Sequence, residues 1–316
     1  MLKAFTISLF ISLFLGYLIL AYLKKFSIWQ PIKNYGPKNH FVKTGTPTMG
    51  GISFVLSFLI GVFLLMDLPI KEVVYIVISG ILCSFVGLID DIVKVKKRTD
   101  GVKPRKKLFL QSVVALFCLI FLFKSNLYDP EVFFPFMFKV NFGEIYSPFV
   151  IFLFLACMNA VNITDGLDGL ACGSSIIAFS ALLIISLLQG KIEIAILILI
   201  LIGSLVGFLY YNRYPAKMFM GDMGAMFLGG VLASLGLVLK VEILMPFICG
   251  IFLIDTLSVI IQIASYKFRK KRVFLMSPLH HHFELKGWKE QKVVKFFWSI
   301  ELGLSILGVM FYKFGW

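Results

Sequence analysis

Six aspartates carry the first chemical signal. Asp90, Asp91, Asp165, Asp168, Asp222 and Asp255 each lie in or beside a long apolar stretch. An ionised carboxylate in such surroundings is costly, so it marks a candidate for binding a cation, moving a proton or meeting a charged ligand. Asp90 and Asp91 end the run Phe85–Ile89. Neighbours on a helix point about 100° apart, so the two carboxylates can take different roles. Lys94 follows one turn later and can pair with either. The plain alternative for the doublet is an interfacial acid–base pair.

Other segments add polar groups. Asn159, Asn162 and Asp165 are spaced i, i+3, i+6, one polar stripe in an apolar span. Such groups need partners from other helices or from a ligand. Gly166 and Gly169 permit close backbone approach to a ligand, or simply break the helix. Tyr210 through Gly224 combines aromatic rings, Asn212, Arg213, Lys217, Phe219 and a glycine-flanked Asp222. Aromatic, amide and carboxylate groups together suit a nucleobase. The glycine-flanked acid suits a hard cation bridging phosphates, or a plain helix cap. Lys43 through Gly51, with Thr48, places hydroxyls, glycines and a lysine before an apolar helix, which favours an anion. It is not a Walker loop, because the lysine is at the wrong end. His280, His281 and His282 are consecutive, so their side chains diverge and make a poor closed metal site. Phosphate or sugar contact, or loop packing, is the preferred reading of that run.

The elements that must position these groups are membrane helices. Of 316 residues, 59% are hydrophobic, and mean hydropathy is +0.93. The excess is concentrated in uncharged blocks long enough to cross a bilayer. Backbone in lipid must bond internally, so these blocks are expected to be helices. Ten spans are expected, near 2–23, 50–66, 73–89, 108–123, 149–164, 170–189, 192–210, 222–239, 243–265 and 294–312. Leu2–Leu23 reads as a permanent helix rather than a cleaved leader.

Charge sets the orientation. The loops near 24–49, 90–107, 165–169, 211–221 and 266–293, with their adjoining helix ends, hold 24 of the 31 Lys and Arg. The positive-inside rule makes these loops cytoplasmic and puts both termini outside. The net charge of +14 is accounted for by contact with anionic membrane lipid, without a nucleic-acid partner. The five cysteines lie in apolar stretches without metal-ligand spacing and read as small hydrophobes. The aromatic, turn-punctuated segment Lys124–Pro148 has the pattern of a small outer β-hairpin. The expected class is an all-α polytopic membrane protein, with 1–316 as a single integral-membrane domain.

Taken together, Gly45–Gly51, Asp90-Asp91, Asn159–Gly169, Asn212–Gly224 and Pro278–Glu284 resemble, in order and over nearly the whole chain, the phospho-N-acetylmuramoyl-pentapeptide transferase family. The resemblance implies a ten-helix bacterial plasma-membrane enzyme of peptidoglycan synthesis, with its active site facing the cytoplasm. Its implied reaction joins UDP-MurNAc-pentapeptide to undecaprenyl phosphate with Mg²⁺, giving lipid I and UMP. A homodimer is compatible with it. Carried over by motif, Asp222 resembles the magnesium ligand, and Asp90, with Asp91 beside it, the residue that binds or deprotonates the lipid phosphate. Lys43, Asp165, Gly166, Leu167, Asp168, Asn212 and Phe219 resemble the nucleoside and diphosphate pocket. Thr48, Lys94, Lys107, Asn159, Asn162 and Gln262 resemble further site residues. His280, His281 and His282 resemble the loop over the sugar–peptide side. Lys107 is chosen over Lys106 because Lys107–Gln111 fits the pattern best. Ala225 stands where serine is common, and Asp255 where glutamate is common, which weakens any role for those two. Direct displacement is expected, with an aspartyl-phosphate route as the alternative. The rivals are a sister hexosamine-1-phosphate transferase and, from another class, a transporter with intramembrane acids.

Overall fold

The computed structural model describes residues 1–29, 43, 45–67, 70–135 and 138–315. Its helices, in chain order, are α1 (Leu2–Lys25), α2 (Gly51–Leu65), α3 (Lys71–Lys97), α4 (Pro104–Lys124), α5 (Tyr146–Thr164), α6 (Leu170–Leu188), α7 (Ile192–Asn212), α8 (Gly221–Val238), α9 (Met245–Ile248), α10 (Gly250–Arg269), α11 (Leu279–Leu285) and α12 (Glu290–Gly315). Among the described residues, nine helices are long and apolar enough to cross a membrane, and the 15-residue α2 is a shorter apolar helix. The protein is an all-α polytopic membrane protein. Its one sheet among these residues pairs β1 (Glu131–Phe133) antiparallel with β2 (Lys139–Asn141), Val132 opposite Val140.

Helix α8 is the axis of the bundle, and 94% of it is buried. It is apolar all round and rich in glycine and alanine, as suits a helix enclosed by others rather than by lipid. Helix α3 packs along it more extensively than any other pair of elements packs. Gly87 makes this possible: a Cβ there would lie 2.2 Å from the Asp222 carbonyl oxygen. Helices α5 and α2 also flank α8, α1 lies against α7, and α12 against α6. Helices α1, α4 and α10 leave much of their apolar surface on the outside, the direction of the lipid.

Two elements differ from the pattern read in the sequence. The apolar run expected to span 243–265 is broken. A 3₁₀ turn over Glu242–Leu244 leads into the short α9, and Cys249 separates it from α10. The break is stabilised from elsewhere: Glu301 of α12 accepts a hydrogen bond from Ile251 N (2.7 Å), and Ser305 donates to the Ile248 carbonyl (3.3 Å). Hydropathy alone reads through such a break because its composition stays apolar. The other difference is that α3 runs to Lys97, about two turns past the apolar stretch. Asp90, Asp91 and Lys94 therefore sit on a continuous helix that α8 steadies.

Candidate active site

At one end of α3 and α8 the polar groups form a cage. Lys107, in the first turn of α4, points its amine at three oxygens from three helices. They are Asp90 Oδ2 of α3 (3.3 Å), Asn162 Oδ1 of α5 (3.2 Å) and Asp222 Oδ2 of α8, the last a very short contact. Lys94, one turn beyond Asp90, bridges the same carboxylates: Asp90 Oδ2 at 2.9 Å and Asp222 Oδ1 at 2.5 Å. The remaining Asp90 oxygen accepts Val102 N at 2.6 Å, so the loop before α4 is tied to the same side chain. Asp90 and Asp222 are 2% and 8% exposed. Burial of two carboxylates is tolerated here because two ammonium groups share them. Lys106, by contrast, is exposed.

Asp91 does different work. Its Oδ1 accepts Asp222 N (3.1 Å) and its Oδ2 accepts Met223 N (2.9 Å). These are unpaired N–H groups of the first turn of α8, the end where a negative charge is most favourable. The 100° offset between neighbours on α3 thus separates two roles: Asp90 faces the lysines, and Asp91 holds the helix that carries Asp222.

A second nest joins loops far apart in sequence. Lys43 donates to Asp168 Oδ1 (2.7 Å) and Glu290 Oε1 (2.6 Å). Asp168 Oδ2 accepts Ala216 N (2.9 Å), and its own N–H donates to Glu290 Oε1 (2.8 Å). Burial pulls the Lys43 amine down, but Asp168 and Glu290 outweigh it and hold it above the ordinary lysine value. The segment before α2 and the segment before α8 are further clasped by backbone bonds, Phe219 N to the Pro47 carbonyl and Gly50 N to the Phe219 carbonyl, both 2.8 Å. Asn212 is buried; its amide donates to the Met218 carbonyl (3.1 Å), while its Oδ1 has no partner. Thr48 is buried as well, and its hydroxyl is unpartnered.

Between the nests stands Asp165, at the end of α5. Among the described residues its carboxylate has no hydrogen-bond or ion-pair partner. Burial, then the charges of Asp222 and Asp91, push it up to about 7. Leu167 is buried in the following turn.

The three histidines separate. His280 is fully buried; its Nδ1 meets Asp255 Oδ2 at 2.6 Å, and its Nε2 is unpartnered against Gly166. A Cβ on Gly166 would lie 2.3 Å from that nitrogen, so glycine is what lets α11 approach the 165–168 turn. His281 meets Glu284 (2.7 Å), and His282 Nδ1 accepts Leu275 N (3.1 Å). Gln262 fastens the α10–α11 loop, accepting Val273 N and Phe274 N at 3.0 Å each. Asn159 forms a reciprocal amide pair with Gln111 of α4 (3.0 and 3.3 Å).

The structure therefore brings Asp90, Lys94, Lys107, Asn162 and Asp222 into one cage and Lys43 and Asp168 into a neighbouring nest. It does not put Asn159, Gln262, His281 or His282 into either by direct contact. Sequence reasoning missed Glu290, whose only local signal is that of an ordinary acid in a first helical turn. It also discounted Asp255, the anchor of His280.

The cage offers two carboxylates and an amide oxygen, a hard, all-oxygen set. Among the described residues no three His, Cys, Asp or Glu side chains form a metal cluster. Two carboxylates and an amide oxygen are donors of the kind that would suit Mg²⁺, a hard cation that prefers oxygen and needs only one or two carboxylates from the protein. Lys94 and Lys107 at present balance the two carboxylates, so a cation would have to take the place of a lysine amine on these oxygens.

A bundle of membrane-crossing helices that gathers buried acids, lysines and amides at the ends of its helices has the architecture of an integral-membrane transferase. The profile of glycosyl transferase family 4 matches residues 73–240. Near full-length similarity extends to proteins named phospho-N-acetylmuramoyl-pentapeptide-transferase. The Clostridium novyi (strain NT) protein is 39% identical over 98% of this chain and 96% of its own. That of Halalkalibacterium halodurans is 42% identical over 96% and 94%, and that of Dictyoglomus thermophilum 42% over 95% and 96%. The chain belongs to the phospho-N-acetylmuramoyl-pentapeptide-transferase family.

Proposed function

We propose that this chain transfers phospho-MurNAc-pentapeptide from UDP-MurNAc-pentapeptide to undecaprenyl phosphate, in the membrane step of peptidoglycan synthesis. The observation that carries this reading is the Asp90–Asn162–Asp222 cage with its two lysines, in a chain matching a named transferase over 98% of its length. An oxygen of the lipid phosphate bonds to the β-phosphorus, the bond from that phosphorus to the bridging oxygen breaks, and UMP leaves with that oxygen. Two polyanions must meet for this. Lys94 and Lys107 are placed to bind their phosphate oxygens and reduce the repulsion. Asp90 takes a proton from the lipid phosphate if it arrives protonated, and afterwards holds the lysines in line. Asp91 keeps Asp222 at the helix start. Lys43, Asp168 and Asn212 bind the nucleotide side. Asp222, with Asn162 beside it, would hold Mg²⁺, which would supply neutralisation of the diphosphate and of the departing phosphate. Holding the lipid phosphate at the membrane surface makes the encounter effectively intramolecular. The Lys and Arg distribution supports a cytoplasmic site.

The test is purified protein in detergent with undecaprenyl phosphate and radiolabelled UDP-MurNAc-pentapeptide, with and without Mg²⁺. The expected result is Mg²⁺-dependent UMP release and a labelled lipid, both abolished in Asp222→Asn. Transfer from UDP-N-acetylglucosamine in place of the muramoyl substrate would assign the chain to the sister transferases. A trapped covalent phospho-sugar enzyme would overturn direct displacement.

A further inference from the structure

The Lys43 nest contains one acid more than charge balance needs. In the cage two ammoniums meet two carboxylates, whereas here one ammonium meets both Asp168 (2.7 Å) and Glu290 (2.6 Å). The two acidic side chains are only 2% and 10% exposed. Like charges held this close with little water repel, so the second carboxylate adds a cost that a plain ion pair would avoid. The two acids are also used differently. Asp168 spends both oxygens inside the protein, Oδ1 on Lys43 and Oδ2 on Ala216 N. Glu290 receives Lys43 Nζ and Asp168 N on the same oxygen, Oε1. That oxygen therefore ties together the approach to α2, the turn after α5 and the first turn of α12.

The helix that carries Glu290 is firmly seated. Val293, Val294 and Phe297 of α12 are buried, and the Trp298 indole donates to the Leu170 carbonyl of α6 (3.3 Å). Gly173 lets that indole close in, since a Cβ there would lie 2.2 Å from the ring. Lys43, by contrast, lies ahead of α2, close to Gly45, and reaches the nest on a flexible four-carbon stem. With a single acceptor its amine would sample several directions. A second acceptor on a rigid helix removes that freedom before the ligand arrives. An ammonium has three N–H donors; two go to the acids, and one is left for an acceptor on the ligand. We propose that Glu290 is a positioning residue for the nucleotide substrate: it aims the Lys43 ammonium and has no contact of its own with the reacting atoms. This inference rests on the transfer proposed above, in which Lys43 binds the nucleotide side.

The test is isothermal titration of the whole purified protein with UDP-MurNAc-pentapeptide, alongside steady-state kinetics in which each substrate is varied in turn. Glu290→Gln keeps the shape and an acceptor oxygen but removes the charge. It should weaken nucleotide binding about tenfold, the gap between a charged and a neutral acceptor. KM for the nucleotide should rise by the same factor, while kcat and the KM for undecaprenyl phosphate stay within about twofold of the parent. In a Lys43→Met background the same substitution should weaken nucleotide binding no further, because its route through the ammonium is gone. A further loss of about tenfold in that background would show that Glu290 acts on the nucleotide by another route and would overturn the positioning role. So would a fall in kcat at unchanged KM, or a Glu290→Gln protein that cannot be recovered folded. Parental affinity in Glu290→Gln would overturn this inference alone and leave the transferase reading intact. Failure of the wild type to bind or turn over the muramoyl nucleotide would overturn both.

Discussion

Replacing Asp91 by asparagine separates positioning from contact with substrate. Two backbone donors, Asp222 N and Met223 N, converge on this fully buried carboxylate. Asparagine keeps one acceptor and turns an amide NH₂ toward the other donor, so one bond is lost and the negative charge goes. A hydrogen bond to a charged acceptor is worth about 1.5–3 kcal/mol, and a charge at a helix N-terminus about 0.3–1 kcal/mol more. Asp91→Asn should therefore cost about 2–4 kcal/mol of stability. At about 2–4 °C per kcal/mol for chains somewhat smaller than this one, thermal unfolding in detergent, followed by tryptophan fluorescence, should drop by about 4–16 °C. Turnover should fall as well, because Asp222 rides on the helix start that has been loosened. A variant that unfolds within about 1 °C of the parent while turnover collapses would refute the reasoning and place Asp91 against the reacting phosphates.

The Lys107 amine occupies the middle of the oxygen set that suits a divalent cation. Lys107→Met should therefore raise Mn²⁺ affinity in calorimetric titration by at least about tenfold, since an ammonium some 4 Å away repels a cation by up to several kcal/mol, while turnover falls; unchanged or weaker binding would show that the lysine organises the oxygens rather than competing for them. Asp165 is pushed up to about 7 by burial and then by Asp222 and Asp91. A raised carboxyl loses its charge as pH falls through about 7, so activity that needs the anion should decline from pH 8 to 6, and Asp165→Asn should flatten that limb. The same shift makes the folded state hold the extra proton, so this group's contribution to stability is present at low pH and lost as pH rises through about 7. Asp129, exposed and 3.5 Å from Lys240, is the control: Asp129→Asn should leave turnover unchanged and shift stability by less than about 1 kcal/mol.

What the sequence determined by itself was local and repetitive. Hydropathy over about 20 residues marked the membrane helices, because lipid forces each segment to close its own hydrogen bonds. The costliness of carboxylates beside such segments singled out Asp90, Asp91, Asp165, Asp168, Asp222 and Asp255. Helical geometry even implied that Asp90 and Asp91 diverge. Tertiary structure alone decided their partners. Asp91 serves the backbone of a helix 131 positions later, and Lys43 is held by a glutamate 247 positions away. Asp255 anchors a histidine 25 residues on, and Glu301 stabilises a break 50 residues earlier that composition conceals. Periodicity reports which face of a helix is apolar, not which neighbour it meets. Those meetings depend on how closely helices approach, as at Gly87 against Asp222, and close approach is a property of packed pairs that no single segment encodes.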